Sequence, residues 1–170
     1  MLVIQRFDAL TVHHLDYLEL RNLAFEWAES FDTKDWERLR RCLAPSLRLD
    51  FSSLGMPNYE NLTPNEFVAI HADAKVIGSK RLKTQHFIGA QKMERLSDGS
   101  VHVWNQVRVA HQLYVDEDLA VVANKGHAHG STEHWYRKIE GVWKLEASKS
   151  NLNWTEYDLF GTLSPMEEVS

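Results

Sequence analysis

The sequence predicts an α+β fold: a cone-shaped barrel in which a curved, mostly antiparallel β-sheet wraps around N-terminal helices and a C-terminal lid covers the mouth. Two observations predict it. Apolar residues recur at helical spacing over 12–31, whereas over most of 82–150 they alternate with a period near two. Helices followed by a run of strands with short turns are typical of α+β proteins. Inward-facing residues at the mouth of such a cone can hold a small molecule.

Two helices are expected before the first strand. Thr11 offers an N-cap for a helix over about 12–31. Asp32-Thr33 then breaks this helix and can cap a second one over about 34–43. Pro45 stops the second helix, because proline cannot continue an α-helix.

A half-buried strand over 46–52 and a loop from Gly55 to Leu62 come before the third helix. Thr63-Pro64-Asn65-Glu66 combines a capping threonine, an early proline and a capping-box glutamate, which predicts a helix that extends to about Ile77. Strands dominate from there. They are predicted near 82–95, 100–115, 119–129, 130–139 and 142–150.

Length and composition predict one domain over 1–170, with 1–10 as an arm and 155–170 as a lid and tail. The net charge of -5 argues against nucleic acid and anionic membranes as partners. Cys42 is the only cysteine, so neither an internal disulfide nor a cysteine-rich zinc site is expected. No phosphate loop or dinucleotide fingerprint is present. The sequence shows neither a signal peptide nor a run of transmembrane length, so we expect a cytoplasmic location.

Two histidines are the first candidates for chemistry. His86 shares a predicted strand face with Leu82 and Ile88, and His111 shares one with Val109 and Leu113. Histidine is well suited to proton transfer near neutral pH, so this pair could remove a proton beside a carbonyl and pass one to a leaving hydroxyl. On spacing alone, two hydrogen-bonded core histidines are the more frequent case.

Asp32 is, on turn chemistry alone, more often a cap than a functional group. The alternative is an acceptor that orients a histidine and stabilises its imidazolium form. Trp27, Phe31 and Phe51 are core residues by default, and they become pocket walls if the cone is open.

A metal-like pattern occurs at His127 and His129, followed by Glu133. Alternate residues of a strand share one face, so both imidazoles could reach one ion. Short ligand spacings are mostly chance matches, and we predict no metal site. These two histidines are expected to be structural or to lie at a subunit contact.

Several ordered motifs resemble those of the scytalone dehydratase family, and together they cover most of residues 13–160. The matching segments are Phe25–Trp36, Arg40–Pro45, Thr84–Gly89, Arg108–Gln112, Lys125–His129, His134–Tyr136 and Gly141–Lys144, continuing to Trp154. The resemblance implies a cofactor-free fungal hydro-lyase of aromatic polyketide pigment biosynthesis. It also implies the cone fold of the nuclear-transport-factor-like superfamily and a homotrimer.

The resemblance assigns roles to three residues. His86 and His111 match the family's two catalytic histidines, and Asp32 matches the aspartate that supports the second of them, His111. The family eliminates water from a β-hydroxy ketone and the ring aromatises. General acid–base catalysis by this trio is consistent with that reaction.

Several positions depart from the family pattern. Phe31 and Phe51 stand where the family has two tyrosines that hold a water on the substrate carbonyl. Gly130 replaces a serine, and Thr132 replaces an asparagine that contacts the substrate. In the lid, the family aromatics are replaced as well. Leu159 and Leu163 stand at those positions.

Three hypotheses for the function follow. The first is a dehydratase for a related polyketide that is larger or more apolar, with a substrate other than scytalone and no cofactor. The second is a cyclase, isomerase or pericyclic catalyst, which the altered tyrosine positions favour because a cyclisation depends less on a polarised carbonyl. The third is a non-catalytic binder of small molecules, since a fold does not fix its function.

Overall fold

The computed structural model describes residues 12–163. The predicted arm over 1–10, the proposed cap Thr11 and the end of the tail over 164–170 therefore lie outside the described residues. The elements in chain order are α1 (His14–Thr33), α2 (Trp36–Cys42), β1 (Leu43–Asp50), a 3₁₀ turn (Ser52–Leu54), β2 (Tyr59–Leu62), α3 (Pro64–Ala72), β3 (Leu82–Arg95), β4 (Val101–Tyr114), β5 (Val122–Ile139), β6 (Val142–Tyr157) and α4 (Leu159–Leu163).

One six-stranded sheet forms the frame, in the order β2-β1-β6-β5-β4-β3. Strands β3 to β6 form an antiparallel meander. Strand β1 runs parallel to β6 and antiparallel to β2, so the sheet is mixed. The long helix α1 packs against β3 and against α2, and the buried aromatic residues lie between the helices and the sheet. The predicted α+β class with a curved, mostly antiparallel sheet is confirmed.

Several predicted boundaries were wrong. The predicted strands 119–129 and 130–139 are one strand, β5, because it pairs with β4 without interruption across the expected break. Strand β6 extends to Tyr157 rather than 150, since it follows β5 over its whole length. The expected loop before α3 contains the short strand β2, which pairs with β1. Helix α3 ends at Ala72 rather than Ile77, because a turn with hydrogen bonds to the Asp73 carbonyl replaces its last turn.

The ends of α1 and α2 show which aspartate caps the second helix. The N-cap of α2 is Asp35, whose side chain accepts a hydrogen bond of 2.9 Å from the backbone N–H of Arg38. Asp32 therefore does not cap α2. Lys34 ends α1 in the left-handed conformation, with its Nζ donating to the carbonyl of Ile77 at 2.7 Å. The predicted capping box of Thr63 and Glu66 is present.

The first strand begins earlier than predicted. Strand β1 starts directly at Leu43 and includes Pro45, so the proline lies in a strand that follows the helix rather than marking the helix end itself.

None of the helices described between residues 12 and 163 combines the length and the apolar character that a membrane span requires.

Candidate active site

A cavity of about 170 Å³ lies between the helices and the inner face of the sheet. Its walls are largely apolar, and its polar groups come mainly from the sheet. Nine of the ten residues proposed from the sequence line it: Trp27, Phe31, Phe51, His86, His111, Gly130, Thr132, Leu159 and Leu163. The tenth, Asp32, lies behind His86.

Asp32 and His86 form a tightly bound pair where the end of α1 meets β3. The Nδ1–H of His86 donates to one carboxylate oxygen of Asp32 at 2.6 Å, and its backbone N–H donates to the other at 2.8 Å. Thr84 adds a third hydrogen bond, of 2.8 Å. Burial works to raise the pKa of Asp32, but the hydrogen bonds from His86 and Thr84 outweigh it and hold this pKa below its ordinary value.

The partner of Asp32 is therefore His86, and the assignment of this aspartate to His111 was wrong. The reason is the register of the sheet. Thr84 and His86 of β3 pair with His111 and Val109 of β4, respectively, so the two histidines lie diagonally on neighbouring strands. At the end of α1, the Asp32 carboxylate is hydrogen-bonded to Thr84 and His86 of β3, the edge strand of the sheet.

His111 has a different environment. It is 6% exposed, and its Nδ1–H donates to the backbone carbonyl of Gly126 at 3.2 Å. Burial and the nearby charge of His86 lower the pKa of His111 to about 4, against a smaller opposing effect of the Gly126 carbonyl. At neutral pH this ring is uncharged, and its second nitrogen can only accept a hydrogen bond.

Three aromatic side chains form the helix-side wall. The ring of Phe31 lies 4.9 Å from that of Trp27 and 5.3 Å from that of His86. Phe51 comes from the end of β1 and is 9% exposed. Neither phenylalanine brings a polar group to the cavity, so at these two positions a substrate meets only apolar and aromatic surface.

Gly130 is held in place by a close approach of strand β6. A Cβ atom at Gly130 would lie 2.0 Å from the carbonyl oxygen of Asn151. The pairing of β5 and β6 shifts by one residue here, with His129 opposite Trp154 but Gly130 opposite Leu152. The replacement of the family serine thus coincides with a bulge in the neighbouring strand.

Thr132 belongs to a short polar chain at the floor of the cavity. Its hydroxyl oxygen accepts a hydrogen bond from Asn105 Nδ2 at 3.2 Å, and Asn105 Oδ1 accepts one from Gln91 at 2.8 Å. Thr132 and Asn105 are both buried. Thr132 and Asn105 therefore have hydrogen-bond partners within the chain and do not depend on a ligand for them.

The predicted lid is helix α4, which carries Leu159 and Leu163 over the cavity. A hydrogen bond joins the start of this helix to β5: the backbone N–H of Asp158, the residue before α4, donates to the Lys125 carbonyl at 3.1 Å. A Cβ atom at Gly126 would lie 2.2 Å from the Cα of Leu159. The lid therefore packs directly on the backbone of the strand.

By the alternation of β5, His127 and His129 belong to the strand face opposite Thr132 and His134, as predicted, although His129 also borders the cavity beside Gly130. The carboxylate beside them is Glu156 of β6, at 3.2 Å and 3.3 Å, and not Glu133, which pairs with His102 at 3.0 Å. Within residues 12–163 this is the one group with metal-ligand geometry. The Arg108 guanidinium already lies in it, 3.1 Å from His127 Nδ1 and 3.8 Å from Glu156, so we interpret the group as an ion-pair network.

His71 is a cavity residue that the sequence reasoning missed. It lies on the buried side of α3, one turn after Phe67, and lines the cavity beside Phe31 and Phe51. A histidine at helical spacing from a buried phenylalanine was the signal that could have identified it.

The fold and the site together define a small α+β cone that encloses a cavity of ligand size with histidines on its wall. The family described as scytalone dehydratase matches residues 11–166 of this chain. The scytalone dehydratase of Colletotrichum orbiculare is 48% identical over 143 residues, which are 84% of this chain and 76% of that protein. The chain therefore belongs to the scytalone dehydratase family.

Other relatives carry the same or a related name. Scytalone dehydratase arp1 of Aspergillus fumigatus is 38% identical and covers 96% of this chain and 99% of its own. The scytalone dehydratase-like protein mdpB of Emericella nidulans is 41% identical, covering 95% of this chain and 77% of that protein. The activity of the family is thus that of a dehydratase.

Solved structures agree on the fold. The Kfla4162 protein of Kribbella flavida superposes with a TM-score of 0.71 at 22% identity, covering 84% of this chain and 93% of its own. Hexachlorocyclohexane dehydrochlorinase LinA-type3 of Novosphingobium barchaimii has a TM-score of 0.67 at 14% identity, covering 85% and 91%. At this level of identity the likeness concerns the cone fold.

Proposed function

We propose that this protein is a cofactor-independent hydro-lyase of fungal aromatic polyketide biosynthesis that eliminates water from a β-hydroxy ketone other than scytalone. One observation carries the proposal: an aspartate-bound histidine, His86, shares an apolar cavity with the uncharged His111. Family membership supports the dehydratase class.

His86 is the proposed base. With Asp32 accepting from Nδ1, the second ring nitrogen of His86 is left to take the proton on the carbon beside the ketone. The Asp32 carboxylate then stabilises the imidazolium that forms. The electrons of the broken C–H bond form the new double bond as the C–O bond breaks. The imidazolium returns its proton to the departing hydroxyl, which leaves as water.

His111 is proposed to position the departing hydroxyl. Its Nδ1–H is committed to the Gly126 carbonyl, so its free nitrogen has a lone pair and no proton to give. Accepting a hydrogen bond from the substrate hydroxyl, it would aim that oxygen at His86. The two histidines then have separate roles, one in proton transfer and one in orientation.

The substrate is proposed to be more apolar than scytalone where it faces Phe31, Phe51 and the lid. Phe31 and Phe51 offer no hydroxyl there, and Leu159 and Leu163 form an aliphatic lid. A dry apolar wall favours an unsubstituted or alkylated ring face.

Product mass tests this function. Purified protein incubated with candidate β-hydroxy ketone polyketides should give a product lighter by about 18 Da, the mass of one water. His86→Ala and His111→Ala should abolish turnover while the far-UV circular dichroism stays unchanged. His14→Ala, which changes an exposed histidine outside the cavity, is the matched control and should keep full activity. Full activity in both cavity variants would contradict the mechanism.

A cyclase or isomerase is the second candidate, and the apolar wall at Phe31 and Phe51 favours it, since no hydroxyl polarises a carbonyl there. The same incubation separates the two: a new product of unchanged mass indicates cyclisation or isomerisation. Binding of the candidate polyketides with no chemical change over long incubation would favour the non-catalytic binder.

We also propose that the chain forms a homotrimer through the outer face of the sheet. That face exposes two large apolar side chains, Phe87 at 64% and Trp154 at 52%. Size-exclusion chromatography with light scattering should give three times 19.7 kDa, about 59 kDa. Phe87→Ser should lower that mass, and a wild-type mass near 20 kDa would refute the trimer.

A further inference from the structure

His71 is a buried titratable side chain that the proposed reaction does not use. It is 6% exposed and lines the cavity from helix α3. Three phenylalanines surround it, with ring centroids at 4.4 Å for Phe67, 5.0 Å for Phe31 and 5.7 Å for Phe51. A polar ring among apolar neighbours is costly unless both of its nitrogens find partners.

The hydrogen bonding of His71 fixes which nitrogen carries the proton. Nδ1 lies 2.8 Å from the backbone carbonyl of Phe67, one helical turn earlier. A carbonyl can only accept, so Nδ1 is the protonated nitrogen and Nε2 bears a lone pair. Burial lowers the pKa of His71 to about 4, against the opposing effect of the Phe67 carbonyl, so the ring is uncharged at neutral pH.

Nε2 receives no hydrogen bond from the part of the chain that the structure describes. Within residues 12–163, the only hydrogen bond of this ring is the one made by Nδ1. The ring of Phe31 contacts both His71 and His86, with ring centroids at 5.0 Å and 5.3 Å, and both histidines line the same cavity. The unpaired acceptor therefore belongs to the cavity that would hold the substrate.

We propose that Nε2 of His71 forms a hydroxyl-binding subsite, which accepts a hydrogen bond from a phenol or alcohol group of the substrate other than the hydroxyl that is eliminated. This proposal adds a binding site to the proposed function. That the substrate is a hydroxylated polyketide rests on the proposed function. The subsite itself requires only a ligand that fits the cavity and carries a hydroxyl donor.

The subsite should prefer ligand groups that donate a hydrogen bond over groups that only accept one. A hydroxyl donates to Nε2, whereas a methyl ether or a ketone at the same place brings only lone pairs and leaves Nε2 unpaired. A site with a committed hydrogen-bonding group rejects analogues that cannot satisfy it. We expect a preference of about tenfold or more for the free hydroxyl over its methyl ether.

Two unreactive probes test the subsite: 2-naphthol, which carries a hydroxyl donor, and 2-methoxynaphthalene, which does not. Binding to the full chain at pH 7 is measured by isothermal titration calorimetry. Wild-type protein should bind 2-naphthol about tenfold or more tightly than the ether. In His71→Phe, which keeps an aromatic ring but has no acceptor, the two affinities should become equal within about twofold.

A matched control is Val76→Ala, which alters an apolar residue of the same wall and should keep the preference. His71→Leu repeats the test with a smaller side chain should His71→Phe not fold. Equal affinities in the wild type, no binding of either probe, or an unchanged preference in His71→Phe and His71→Leu would overturn the subsite.

Failure of the subsite can be told apart from failure of the proposed function. Neither probe contains a β-hydroxy ketone, so a missing dehydratase activity would leave the measured preference as it is. With a hydroxylated substrate that is turned over, His71→Phe should raise KM by about tenfold and change kcat by less than about threefold, as expected for a positioning residue. A fall in kcat alone would contradict a role in binding.

Discussion

At the scale of single residues, one carboxylate makes two similar histidines different. His86 and His111 lie on the same inner face of the sheet, one strand apart. His86 donates to the Asp32 carboxylate, whereas His111 donates to an uncharged backbone carbonyl. A carboxylate stabilises an imidazolium far better than a carbonyl does, because charge-assisted hydrogen bonds are the stronger ones. This is why we assign proton transfer to His86.

Asp32→Asn should lower kcat by about 10²-fold or more, because the amide stabilises an imidazolium poorly and can hold His86 in the wrong tautomer. The measurement is the rate of water elimination on a substrate that the wild type converts. Ser30 is a buried neighbour on α1 whose hydroxyl bonds only to the Trp27 carbonyl, so Ser30→Ala serves as the control and should change kcat little. Wild-type kcat in Asp32→Asn would refute the role of this carboxylate.

At the scale of elements, the irregular pairing of β5 and β6 shapes the cavity as much as the side chains do. The shift in register beside Gly130 brings the Asn151 carbonyl to where a side chain would begin. The serine implied at this position by the family resemblance therefore does not fit this backbone. A change of Gly130 to serine alone would therefore also require a shift of the neighbouring strand β6.

Gly130→Ser should destabilise the protein by about 1–3 kcal/mol, since the new Cβ would lie 2.0 Å from the Asn151 oxygen and the strand must shift. Urea denaturation followed by tryptophan fluorescence measures the change. Gly89→Ser is the matched control in β3, where the shortest contact of a new Cβ is an ordinary 3.4 Å. A cost for Gly130→Ser no larger than that of the control would show that β6 adapts freely.

At the scale of the whole molecule, the cone buries several histidines in uncharged form. Burial lowers the pKa of His71 and His111 to about 4 and that of His134 to about 3, from an ordinary 6.5. His134 is fully buried, with its Nδ1 at 2.8 Å from the Tyr136 hydroxyl. The unfolded chain exposes these rings and protonates them readily, so folding is linked to pH.

The free energy of unfolding should therefore fall as the pH drops from about 6.5 towards 4. In that range the unfolded chain binds more protons than the folded protein, so stability is full above the ordinary histidine pKa and is lost through the window below it. We expect a loss of about 1–2 kcal/mol per buried histidine between pH 7 and pH 5.

Urea denaturation at pH 7 and pH 5 measures this loss. His71→Phe should show a smaller difference between the two pH values, because it removes one of the titrating groups. The control His14→Ala removes an exposed histidine and should leave the difference unchanged. Equal stability of the wild type at both pH values would contradict the linkage.

Most of the fold could be predicted from the sequence, because the signals for helix starts and for strand alternation are local. The capping box at Thr63 and Glu66 and the alternation of β3 and β4 depend on neighbours within a few residues, and each appeared where it was expected. The long strand β5 was divided in two, because nothing local shows that β4 continues to pair with it past Gly130. The continuity of a strand depends on its partner strand, which lies elsewhere in the sequence.

By itself, the sequence determined the α+β class, the family and nine of the residues that line the cavity. Only the tertiary structure decided how those residues act on one another. It joined Asp32 to His86, placed Glu156 rather than Glu133 beside the outer histidines, and brought His71, a residue that the sequence had not indicated, into the cavity from helix α3. Which side chains far apart in the chain become neighbours depends on strand register and on where each helix ends. The spacing of residues along the sequence gives neither of these.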